Sequence, residues 1–105
     1  MTWKTAENQK LVEAILGLKT ADETERFLRD LMTEGEITEF AKRLKAAEML
    51  ADKVPYLTIE TKTGLSSTTV ARVSKWLFNG MGGYKIILNR LHHHPKLLRA
   101  GTGGF

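Results

Sequence analysis

The feature that most constrains this chain is a glycine set between two short helical patterns. Tyr56–Thr63 carries the first pattern, Gly64 follows it, and Leu65 leads into the hydroxyl run Ser66-Ser67-Thr68-Thr69. Glycine adopts a left-handed backbone at little cost, so Gly64 is where the first helix can stop and the chain can turn. Ser66 is the natural N-cap of the helix that follows, with Thr69 at its third position. Ile59, Leu65, Val70 and Val73 are spaced so that two helices joined by a tight turn share one small core. The first residues of the second helix, which runs to about Phe78, then face outward. A helix-turn-helix has this geometry, and its second helix is the one that enters a DNA major groove.

The rest of the chain reads as helical scaffold. Residues 5–18 form a helix that Thr5 can cap, with Leu11, Ile15 and Leu18 at helical spacing and Gly17 weakening the last turn. Thr20-Ala21-Asp22-Glu23 has the capping-box form, so a second helix starts at about Ala21, with Phe27, Leu28, Leu31 and Met32 as its apolar stripe. Gly35 breaks that pattern. A third helix covers about Glu36 to Asp52, striped by Ile37, Phe40, Ala41, Leu44, Ala47 and Leu50. Pro55 is placed to open the fourth helix. On the fifth, Val70, Val73, Trp76 and Leu77 form the inner side. Asn79-Gly80 stops it, and Met81-Gly82-Gly83 is a flexible link. A sixth helix, Tyr84–Leu91, ends at His92-His93-His94-Pro95. No segment alternates with period two. The expected fold is all-α, about six helices, with a domain over 1–94 and a flexible tail over 95–105.

Charge points to the partner. Residues 1–52 hold 8 Lys and Arg against 11 acids, a net charge of −3. Residues 53–105 hold 8 Lys and Arg against one acid, Glu60, a net charge of +7. The basic half contains the two-helix stretch. A one-sided positive field suits a polyanion, because neutralised phosphates release counterions. Double-stranded DNA is the expected partner. The candidate contacts are Ser66, Ser67, Thr68 and Thr69, short hydroxyls at a positive helix N-terminus. Arg72 and Lys75 share a face of the fifth helix, and Lys62 and Lys53 can reach the DNA backbone from the flanks.

Other signals exclude more than they suggest. The chain has no cysteine, so disulfides, thiolate metal sites and Cys nucleophiles are ruled out. No apolar run approaches the roughly 20 residues of a membrane span, and MTWKTAENQK lacks the apolar stretch of a signal peptide. The expected location is cytoplasmic, with no membrane partner. Three adjacent histidines on a helix point about 100° apart and do not converge on one metal ion. Glu34, Glu36 and Glu39 mark a helix start, with no nucleophile–base pair to make them catalytic. No cofactor and no enzyme activity are expected. Trp76 is assigned to the core, and Trp3 to a contact with a partner protomer.

Two stretches resemble the Trp repressor-like superfamily, and the order of helices matches over about residues 8–92. One is the helix Glu36-Ile37…Phe40-Ala41-Lys42-Arg43…Ala46-Ala47…Met49-Leu50. The other, Thr63-Gly64-Leu65-Ser66-Ser67-Thr68-Thr69-Val70-Ala71-Arg72-Val73-Ser74, is similar to the repressor's Leu-Gly-x-x-x-Ala-Thr-Ile-Thr-Arg-Gly-Ser. Phe78-Asn79-Gly80-Met81-Gly82-Gly83-Tyr84 looks like a bacterial branch of that superfamily without an assigned ligand. The resemblance implies an intertwined homodimer whose fourth and fifth helices read DNA. It also matches Arg43 and Arg72 to arginines that contact a tryptophan corepressor. The sequence departs at Val73: the repressor has glycine there, which leaves room for an indole, and a valine side chain fills that space. The expectation is therefore a dimeric, sequence-specific transcriptional regulator that does not respond to tryptophan, its effector unknown. The alternative is a protein-interaction module on the same scaffold that does not read specific DNA.

Overall fold

The computed structural model describes residues 1–93; the tail expected at 95–105 and His94 lie outside the described residues. Six helices follow one another: α1 (Ala6–Leu16), α2 (Ala21–Leu31), α3 (Glu34–Ala51), α4 (Tyr56–Thr63), α5 (Ser67–Asn79) and α6 (Gly83–His93). No strand occurs among the described residues. The helices fall into two compact units, Met1–Ile37 and the part of the chain from Thr38 onward.

In the first unit the helix starts are set by hydroxyl caps. Thr5 Oγ1 accepts from the Asn8 amide at 3.1 Å, and Thr20 Oγ1 accepts from the Glu23 amide at 3.1 Å. The Glu23 carboxylate accepts from the Lys19 amide at 3.0 Å, one residue earlier than a strict capping box requires. α1 ends sooner than expected because Gly17 is its C-cap, not an interior residue. Gly35 does not break the chain either; it lies in the first turn of α3. Thr33 and Glu36 form a reciprocal capping box, with amide bonds of 2.9 and 3.1 Å, and that box starts the helix two residues before the expected Glu36. No residue of α1 or α2 is buried.

The second unit holds the core. It gathers Ala46, Ala47, Met49 and Leu50 from α3, Ile59 from α4 and Leu65 from the turn, with Val70, Val73 and Leu77 from α5 and Leu88 from α6. The α3 stripe is thus displaced from the one expected: Phe40 and Ala41 are exposed and Leu44 only borders the core. Small Ala46 and Ala47, both at 0% exposure, let neighbouring helices approach α3 closely. α3 ends in a Schellman motif. The Val54 amide reaches Met49 O and the Lys53 amide reaches Leu50 O, both at 3.0 Å, with Lys53 in the left-handed region at φ 63°. Pro55 then serves as the N-cap of α4, one position earlier than the first-turn place expected for it.

Gly64 takes the left-handed conformation at φ 76°, ψ 6°, as the two-helix reading requires. Thr63 secures the turn from inside. Its hydroxyl donates to Ile59 O at 2.7 Å and accepts from the Leu65 amide at 3.2 Å, which satisfies a buried polar group. The link between α5 and α6 is short, and α6 begins at Gly83 and continues through His93, two residues past the expected stop.

Candidate nucleic-acid interface

α5 carries two opposed stripes. Val70, Val73 and Leu77 point inward, at 0%, 0% and 3% exposure. At 100° per residue, Thr68, Arg72 and Lys75 fall on the opposite side, and all three are exposed. Burial of the first stripe therefore presents the second. Ala71, exposed and small, lies beside it and leaves room for close approach of a partner.

The hydroxyl run divides by role. Ser66 is the N-cap: its Oγ accepts from the Thr69 amide at 3.1 Å and donates to Thr69 Oγ1 at 3.1 Å. Two of the four expected contact hydroxyls are thus engaged in capping. Ser67 and Thr68 are exposed in the first turn, where the helix N-terminus carries partial positive charge. Lys62 sits exposed in the last turn of α4, and Lys53 is exposed in the turn ahead of α4. Lys53, Lys62, Arg72 and Lys75 have no ion-pair partner among the described residues. Glu60, the lone acid of the basic half, is half-buried on α4.

Two features of this surface come only from the packing. Lys42 of α3 brings its ammonium to 3.9 Å from where a side chain on Gly64 would begin, adding a cation at the turn. In the sequence it is one of several polar residues on a long helix, with nothing to tie it to a turn 22 positions on. The Tyr56 hydroxyl donates to Ser74 Oγ at 2.6 Å, fastening the start of α4 to the middle of α5.

Trp76 is not a core residue of the single chain; it is 42% exposed. Leu77 completes the line from Val70 and Val73, which leaves Trp76 on the flank. The Arg43 guanidinium of α3 lies over the Trp76 ring at 5.7 Å and over the Phe40 ring at 5.5 Å, and Arg43 Nε donates to Glu39 Oε2 at 3.3 Å. Nearby, burial pushes the Tyr84 hydroxyl above the usual phenol range, and the opposing pull of Arg43 does not reverse it. At the end of α6, His92 Nε2 stands 3.9 Å from Glu48. No group of three or more potential metal ligands occurs among the described residues.

A tight left-handed turn, a capped second helix and an outward cationic stripe define a helix-turn-helix protein. Comparisons place it further. The family model described as "Trp repressor protein" matches residues 6–92. The uncharacterized protein YerC of Bacillus subtilis is 41% identical over 85 residues, covering 81% of this chain and 82% of YerC. A TrpR-like protein from Eubacterium eligens superposes with a TM-score of 0.82 at 39% identity, over 86% of this chain and 93% of that one. A candidate Trp repressor from Staphylococcus aureus gives 0.81 at 35% identity, over 88% and 95%. The chain belongs to the Trp repressor-like family.

Proposed function

We propose that this chain is a dimeric, sequence-specific DNA-binding regulator of transcription that lays α5 in the major groove, and a binder rather than an enzyme. The observation that carries the reading is the stripe Thr68, Arg72 and Lys75, turned outward by burial of Val70, Val73 and Leu77. Arginine and lysine on such a face supply phosphate and base-edge contacts, and Thr68 adds a donor and acceptor near the helix start. Lys42 and Lys62 add positive charge at the turn, and Lys53 adds an exposed cation ahead of α4. The dimer reading is supported by the apolar side of α1: Leu11, Val12, Ile15 and Leu16 are all exposed in one chain, with Trp3 beside them. Two reading helices related by a two-fold axis would then meet half-sites roughly 34 Å apart.

Tryptophan is not the effector in this reading. Val73, where the resemblance has glycine, is fully buried, and Arg43 is already held by Glu39 and two aromatic rings. No helix of the described residues is long and apolar enough to cross a membrane, and none is needed for this role.

Mobility-shift titration over several salt concentrations tests the proposal. The protein is expected to shift random duplex DNA at low salt and a selected pseudo-palindrome more tightly. Replacing Arg72 and Lys75 together by Ala is expected to weaken binding and to lower the salt slope by about 1 for each phosphate contact removed. Unchanged affinity in the double variant would remove α5 as the reader. No shift at all by the wild-type chain would favour the protein-interaction module.

A further inference from the structure

We propose that Trp76 is a positioning residue of the reading helix: its ring carries the Arg43 guanidinium and thereby fixes α5 from within the chain, without a free aromatic ligand. The inference rests on the DNA-binding reading above. It starts from a side chain that the core does not explain. An indole is a large apolar group, yet Trp76 is 42% exposed, one turn beyond Arg72 and between the inward and outward stripes of α5.

Its neighbours give it a role. Arg43 comes from α3 and lies 5.7 Å from the Trp76 ring centroid, within the range in which a ring face attracts a guanidinium. The guanidinium is preset for that contact. Phe40, one turn earlier, lies on it at 5.5 Å, and Glu39 accepts from its Nε at 3.3 Å. Trp76 also walls an apolar concavity of about 430 Å³ together with Leu44 of α3 and with Tyr84 and Ile87 of α6. Through Arg43 this side chain meets α3 from the flank of α5. Val70, Val73 and Leu77 hold the helix down but lie along one line, which resists lifting more than rolling. A flank contact resists the roll, and a roll of α5 swings Thr68, Arg72 and Lys75 directly.

The resemblance assigns Arg43 to a free tryptophan. Here Arg43 lies over the chain's own indole, and Val73 is fully buried. The aromatic partner is covalently supplied, so the helix is held whether or not a ligand is present.

The experiment compares Trp76→Phe with Trp76→Leu in the full chain. Leucine and phenylalanine are both smaller than tryptophan, but only phenylalanine keeps a ring face. Trp76→Leu is expected to weaken binding to a selected duplex about fivefold to tenfold, with a thermal midpoint close to that of Trp76→Phe, which binds within about twofold of wild type. L-tryptophan is expected to leave wild-type affinity unchanged. Wild-type binding by Trp76→Leu, an equal loss in Trp76→Phe, or tighter wild-type binding with L-tryptophan would each overturn the proposal. If the wild-type chain shifts no DNA, the DNA reading fails and amide exchange along α5 decides the strut alone. Faster exchange in Trp76→Leu but not in Trp76→Phe supports it, and equal exchange removes it.

Discussion

Lys53 holds a conformation that L-residues avoid. Its φ of 63° closes the Schellman turn after α3, where glycine would sit without Cβ strain. Lys53→Gly is therefore expected to raise stability by about 1 kcal/mol, less the entropy that glycine adds to the unfolded chain. A denaturant midpoint measures the gain. If Lys53 meets a phosphate, the same variant binds DNA more weakly and with a lower salt slope. Retention of lysine at a strained position then has a functional reason. Tyr84 offers a second residue-level test. Burial raises its hydroxyl pKa in the folded chain, so the unfolded chain loses this proton first as pH rises. The stability tied to neutral Tyr84 is complete below the unfolded phenol value near 10 and is lost as pH climbs from there through the raised folded value. Comparing the stability of wild type and Tyr84→Phe from pH 9 to 11 isolates the effect; a parallel decline in both would refute it.

At the scale of elements, the hydroxyls at the start of α5 divide into a cap and exposed candidates for contact. Ser66→Ala removes the acceptor for the Thr69 amide and is expected to cost about 1 kcal/mol of stability. Thr68→Ala touches no such bond and is expected to leave the thermal midpoint unchanged while altering binding to a selected duplex. Equal thermal losses would mean the division of roles is wrong. The helices themselves were legible because local rules fix them: Thr5, Thr20 and Ser66 each cap where a short hydroxyl precedes a helical run. Thr33-Glu34-Gly35-Glu36 obeys the same rule, but Gly35 masked it. A glycine in the first turn costs little when a reciprocal cap already satisfies the free amides.

The whole molecule leaves a large apolar area unspent within one chain. Leu16 is 79% exposed and Ile15 46%, and neither α1 nor α2 buries any residue. If a second copy covers this face, Ile15→Asp is expected to give a monomer by sedimentation and to lose tight binding to a two-half-site duplex. A monomeric wild type under the same conditions would contradict the dimer. Phe40 of α3 is exposed in the same way although helical spacing puts it on the apolar stripe. Periodicity marks which residues are apolar, not which neighbour, or which copy, covers them.

The sequence alone determined the six helices, the position of the turn and the two-helix motif. Caps, a left-handed glycine and apolar spacing act over a few residues, so they can be read in order. The charge split between the halves was equally visible. Only the tertiary structure decided that Lys42 stands over the turn, that Tyr56 is fastened to Ser74 and that Trp76 meets Arg43 instead of the core. Those contacts join residues 18 to 33 positions apart. Their geometry depends on how α3, α4 and α5 pack together, and no local spacing encodes it.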